Sequence, residues 1–187
     1  MKEKIIEIAI PSLVTIIGFW INYRLLKREK TLEAYNYKGE ERIKIMIDIP
    51  QKILQYIEYY MLLTAGKNID RKEFEDVKQR IFNTVLCYGS EDAVKILVYF
   101  ENLFFCGVDD GSPTAPIQII APLVLLLMQI KYDITSIKTS PKVWYVKFSS
   151  QTMMETGFYE KSIEEINKIV DNLGLNNFLK MSNLKLY

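Results

Sequence analysis

A search for residues able to do chemistry begins with histidine, and this chain of 187 residues has none. Its absence removes the side chain most often used as a general base near neutral pH, and the commonest nitrogen ligand for metals. Ser-His-Asp and Cys-His catalysis are excluded, as are zinc sites that need histidine. Two cysteines remain, Cys87 and Cys106. Both stand in apolar, helix-like stretches and read as reduced core thiols. Asp109 and Asp110 could face a cation, but Asp109-Asp110-Gly111-Ser112-Pro113 is turn chemistry and reads as a solvated loop. Arg80, Lys131 and Asp133 read as exposed or paired charges. Tyr56, Tyr59 and Tyr60 read as packing residues with their hydroxyls at the surface. There is no GxGxxG, P-loop, GxSxG, CxxC or zinc-ligand spacing. The sequence thus offers no catalytic, cofactor-binding or metal-binding residue, and the expectation is a protein that is not an enzyme.

Composition narrows the class further. A net charge of +1 is too balanced for a dedicated nucleic-acid binder, so no direct nucleic-acid binding is expected. With 49% apolar residues, enough hydrophobic material remains beyond the N-terminus to build one core.

That N-terminus supplies the clearest element. Ile8 to Tyr23 is an uncharged run of 16 residues, extended by Ile5, Ile6, Leu25 and Leu26. A membrane span needs roughly 20 mainly apolar residues. The segment meets this if Glu7 lies at the interface and Arg24 snorkels. Trp20 and Tyr23 sit where interfacial aromatics belong. A cleaved signal peptide would end in small residues, whereas this run continues Asn22-Tyr23-Arg24; a buried or interfacial helix is the other alternative. Arg24, Lys27, Arg28 and Lys30 follow the run closely, and basic residues stay on the cytoplasmic side. The expected topology is single-pass in the inner membrane, with the C-terminal domain cytoplasmic. Residues 1–30 form the anchor and its basic border, and residues 31–187 the cytoplasmic domain.

Within the anchor, Glu7, Pro11, Thr15, Gly18 and Asn22 are spaced 4, 4, 3 and 4 residues apart and fall on one helical stripe. Small and polar residues on one face are what associating transmembrane helices use. The stripe reads either as a self-association face or pore lining, or as chance placement.

The rest of the chain reads as all-α. Apolar residues recur at three- and four-residue steps from Glu40 to Ala65, divided by Pro50 and stopped at Gly66. Asp70 with Glu73 looks like a capping box, opening a helix whose apolar face is Phe74, Val77, Ile81 and Leu86. Ser90 caps the next helix, which runs to about Phe105. Gly111 to Ile130 is a stretch of 20 uncharged residues, but its strongly apolar part, Ile117 to Met128, spans only 12. That favours a buried core helix over a second span. Ser140-Pro141 starts a short helix carrying Trp144 and Phe148. Ser162-Ile163-Glu164-Glu165 is a full capping box, for a helix closed by Gly174.

Tyr88-Gly89-Ser90-Glu91-Asp92-Ala93-Val94-Lys95, an apolar helix reaching Phe100, Leu125 to Asp133 and Ser140-Pro141 together resemble a pattern in bacterial membrane-anchored helical proteins. Those proteins combine one N-terminal span, a YGS helix start, an apolar helix ending in a basic-x-Asp element and a Ser-Pro helix start. Lys131 stands where the pattern has arginine. Proteins of this build are also similar to small membrane accessory proteins encoded beside type VI, RNA-targeting CRISPR effectors. The resemblance implies a pore-like role in antiviral defence and a divergent HEPN-like fold. HEPN nucleases use an Arg-x4-6-His motif, which a chain without histidine cannot carry. The expected function is therefore an oligomeric, membrane-anchored protein that alters permeability. Its partners would be lipid, further copies of itself and a cytoplasmic defence effector, and it would need no cofactor. The alternative is a membrane-tethered module that recruits a cytoplasmic partner without forming a pore; an RNA-binding or nuclease domain ranks third.

Overall fold

The computed structural model describes residues 24, 27, 39–106, 115–148 and 157–182. The regular elements among them are all helical, with no strand. The chain divides into two compact units, Met1–Lys44 and Ile45–Tyr187. In the first, Arg24 and Lys27 are helical and exposed, and residues 39–44 are helical. The segment expected to be the membrane anchor otherwise lies outside the described residues.

The second unit is a helical bundle. Residues 47 and 48 turn the chain, and α1 (Ile49–Thr64) begins with Pro50 in its first turn. A missing N–H is harmless there, so Pro50 divides the helical stretch as its position predicts. Gly66, at φ +71, closes α1 with its N–H on the Leu63 carbonyl at 2.9 Å. In α2 (Arg71–Tyr88), Asp70 Oδ1 accepts from the backbone N–H groups of Lys72 at 2.9 Å and Glu73 at 3.2 Å. The Glu73 carboxylate instead accepts from Gln55 Nε2 of α1 at 3.1 Å, so it joins two helices. The buried face of α2 is Val77, Ile81, Thr84 and Val85. Leu86, expected on that face, is 54% exposed. It follows Ile81 by five residues, which turns it about 140° away from the core.

Gly89 ends α2 because the chain has no room for a side chain there: a Cβ would lie 2.5 Å from the Val85 carbonyl oxygen. The turn leads directly into α3 (Glu91–Cys106), which packs against α4 (Ala115–Thr135). Residues 119–130 of α4 are all buried, and the helix touches α1, α3 and α6 (Phe158–Leu173). A helix apolar on every side belongs in the middle of a bundle. Pro116–Thr135 is the one described helix long and apolar enough to cross a membrane, and 72% of its most apolar window is buried. In this fold it is the core helix that the shortness of the Ile117–Met128 run predicts.

Between α4 and α6 lies the short α5 (Lys142–Phe148). Ser140 Oγ accepts from the Lys142 N–H at 3.3 Å, as the Ser-Pro start predicts. The capping box expected at Ser162 is absent. α6 starts a turn earlier, after Gly157 at φ +68, and Ser162 is buried with its hydroxyl donating to the Phe158 carbonyl at 2.7 Å. Tyr159 is buried beside it, so the apolar face reaches back past the serine and carries the helix with it. Gly174, at φ +62, closes α6 as expected, with the Leu175 N–H on the Val170 carbonyl at 2.9 Å. The following residues, 175–182, are docked on the bundle. Asn167 donates to the Met181 carbonyl and accepts from its N–H, both at 2.9 Å, while Leu175, Leu179 and Met181 are buried.

Candidate functional site

Two places in the second unit carry polar or recognisable features that the bundle alone does not explain. The first is a clamp between the start of α3 and the end of α4. Ser90 Oγ accepts from the Ala93 N–H at 3.2 Å, which makes Ser90 the N-cap of α3. The Ser90 N–H donates to Asp133 Oδ2 at 3.2 Å. Gln129, one turn before Asp133, donates from Nε2 to Asp133 Oδ1 at 2.8 Å and to Ser90 Oγ at 3.3 Å. Gln129 is 3% exposed, and its Oε1 has no hydrogen-bond partner.

The clamp joins the YGS start to the basic-x-Asp element, two parts of the sequence pattern about 40 residues apart. Its chemistry is that of a fastening. Ser90 Oγ accepts two hydrogen bonds, one from the Ala93 N–H and one from Gln129 Nε2. The Asp133 carboxylate is occupied as an acceptor at the N-terminus of α3, where negative charge is favoured. Lys95 in the same first turns pairs with Glu91 at 2.8 Å, and this contact raises the Lys95 ammonium above its ordinary pKa and lowers the Glu91 carboxyl. Arg80 is likewise engaged, pairing with Asp48 at 3.2 Å on the surface.

The second feature is a cavity of about 570 Å³ beside α1, lined by Leu54, Ile57, Glu58, Met61, Leu62 and Trp144. Its size is typical of small-molecule sites, and the described residues of its wall are apolar except for one carboxylate. α1 builds it by carrying two apolar faces. Ile49, Ile53, Tyr56 and Ile57 enter the core, while Leu54, Met61 and Leu62 stay half-buried on a second stripe. Glu58 is the exposed residue in the middle of that stripe.

Of the three clustered tyrosines, Tyr56 departs from expectation. Tyr56 is buried, not a surface hydroxyl; it stacks on Phe74 with ring centroids 4.7 Å apart and meets Phe100 edge-on. Burial pushes its hydroxyl above the ordinary tyrosine range, and Glu75 adds to the effect. Tyr59 accepts from Gln55 at 3.0 Å at the helix surface, and a hydrogen bond with Glu73 raises its pKa. Tyr145 and Tyr159, which the sequence does not single out, form a buried aromatic corner, with centroids 6.3 Å apart and rings nearly perpendicular. Neither hydroxyl has a hydrogen-bond partner. Burial pushes the Tyr145 hydroxyl well above the ordinary range, a shift that nearby Ser162 only partly opposes.

Of the residues the sequence assigns to membrane assembly, Glu7, Pro11, Thr15, Gly18 and Asn22 lie outside the described residues. So do Arg28 and Lys30 of the basic border, while Arg24 and Lys27 are exposed on helix. Asp109 and Asp110 also lie outside. Among the described residues no three His, Cys, Asp or Glu side chains gather closely enough to hold a metal. Cys87 corrects its reading as a core thiol: it is exposed, on the outer side of α2, while the Cys106 side chain lies outside the described residues. Set against protein-family models, curated proteins and solved structures, the chain matches none.

Proposed function

We propose that this is a membrane-anchored, non-enzymatic helical protein that self-associates and alters membrane permeability, as an accessory of antiviral defence. The observation that carries the reading is the burial of α4. With the most apolar described helix committed to the bundle core, contact with lipid falls to the N-terminal run Ile8–Tyr23. A single helix per chain cannot enclose a pore alone, so permeability requires several copies meeting along the stripe Glu7, Pro11, Thr15, Gly18 and Asn22. The bundle then stands on the cytoplasmic side of the inner membrane, as a HEPN-like body without the catalytic histidine, and it is free to engage a cytoplasmic defence effector. Absence of a cofactor or of nucleic-acid contact is part of the same proposal.

Reconstitution into dye-loaded vesicles tests it. The unaltered chain should release dye and migrate as an oligomer in detergent. Gly18→Leu should disrupt both, because a bulky side chain keeps the helices apart, while Leu13→Ala on the opposite face should leave both intact. Equal behaviour of the two variants would overturn the pore reading.

A second reading, a membrane-tethered module that recruits a partner without making a pore, is favoured by the cavity beside α1. Membrane binding without leakage would select it.

A further inference from the structure

The cavity beside α1 is the feature that the proposed function leaves unused, and its lining has a definite chemical bias. Leu54, Ile57, Met61 and Leu62 supply an apolar wall. Trp144, 6% exposed, closes it from α5 and is the aromatic type best suited to a cation. Among the described residues lining it, Glu58 is the only charged one. Leu54, Glu58, Met61 and Leu62 follow one another at i, i+4, i+7 and i+8, so the carboxylate sits inside an otherwise apolar stripe rather than on the polar face. Glu58 makes no ion pair among the described residues, although its helix carries Lys52 six residues away, which donates to Gln55 instead.

We propose that this cavity binds a small cationic amphiphile, with its apolar body against Leu54, Met61 and Leu62 and its positive end between Glu58 and Trp144. A uniformly apolar ligand would leave the exposed carboxylate without a counter-charge. An anionic ligand would meet it as a like charge. Only a cation is matched by both the carboxylate and the indole.

The test uses three water-soluble probes of equal chain length: hexyltrimethylammonium, hexanol and hexanoate. Each is titrated against the full chain in neutral detergent, in a Trp20→Phe background, so that Trp144 is the one tryptophan reporting by fluorescence. The cation should bind roughly fivefold tighter than hexanol, the scale of one exposed charge pair, and hexanoate more weakly still. Glu58→Gln should bring the cation down to the level of hexanol and leave hexanol unchanged. Met61→Phe should crowd the cavity and weaken all three. Equal affinities for the three probes, no binding by any, or indifference to Glu58→Gln would overturn the proposal. Binding of unchanged strength in Met61→Phe would place the ligand elsewhere and overturn it equally. Both variants change half-buried or exposed positions, and unaltered melting shows that the fold persists. The outcome does not depend on whether residues 8–23 span a membrane, so the anchored-pore reading and this site can fail separately.

Discussion

The clamp at Ser90, Gln129 and Asp133 and the aromatic corner at Tyr145 and Tyr159 bury polar atoms in opposite ways. In the clamp, four hydrogen bonds engage Ser90, Gln129 and Asp133 and leave only Gln129 Oε1 among their buried side-chain atoms without a partner, and two of the four cross between α3 and α4. In the corner, two hydroxyls are enclosed by rings and bond to nothing. A satisfied buried network is costly to break, because each removal orphans a partner, whereas removing a group that was never satisfied relieves a penalty. The clamp is therefore where polar chemistry holds this bundle together. In the corner, packing alone holds it, and the hydroxyls are passengers.

The largest effect should come from Asp133→Ala. It strands the Ser90 N–H and one Gln129 donor, and it removes a negative charge from the start of α3. A loss of about 2–3 kcal/mol in unfolding free energy is expected from chemical denaturation. Asp133→Asn keeps an acceptor and should lose about half as much. If the alanine variant is as stable as the original chain, the clamp is ornamental and the contrast with the corner disappears. Ser90→Ala comes next. It removes the cap of α3 and one acceptor for Gln129, at about 1 kcal/mol. Combined with Asp133→Ala, it should cost less than the sum of the two, because both substitutions break the same network. Strict additivity in that double-mutant cycle would show that the bonds act separately.

How far these regions were legible in the sequence depends on how local their causes are. Asp70, Ser90, Ser140-Pro141 and Gly174 act on backbone groups within a few residues, and each does what its type and position predict. The all-helical fold and the burial of α4 follow from periodicity and from the length of an apolar run, which are also local. Ser162 misleads because its neighbours satisfy a local rule that the buried Tyr159 and half-buried Phe158 override from one turn earlier. Leu86 and Cys87 mislead because a residue's apolar character does not fix its angular position on the helix. The clamp was present in the sequence as Gln129 and Asp133, four residues apart on a buried helix, a pairing that asks for a polar partner. Naming Ser90 as that partner requires knowing that α3 lies alongside α4. The cavity is less legible still, because it depends on what fails to cover the second stripe of α1.

The smallest effect is expected in the corner, and its sign depends on pH. At neutral pH Tyr145→Phe removes an unpartnered hydroxyl and should change stability by less than about 0.5 kcal/mol, in either direction. Above pH 10 the two chains should part. In the unfolded chain the Tyr145 hydroxyl titrates near its ordinary value of about 10. In the folded chain burial raises it beyond that, so the folded protein keeps a proton that the unfolded chain gives up. Stability linked to this group is complete below pH 10 and drains away as the pH climbs toward the folded value. Replacing the tyrosine removes that drain. Tyr145→Phe should lose less stability than the original chain, by about 1.4 kcal/mol between pH 8 and pH 11. Lysines, thiols and the other tyrosines titrate in both proteins and cancel in the difference. Tyr56, whose hydroxyl burial also raises, offers an independent replica through Tyr56→Phe, although its stacking on Phe74 makes the ring less tolerant of any shift. Denaturant midpoints at pH 8, 9.5, 10.5 and 11 measure the divergence. Parallel curves for Tyr145→Phe and the original chain would mean that the hydroxyl titrates freely in the folded state. The corner would then be open to water, and the contrast with the clamp would fail on that side.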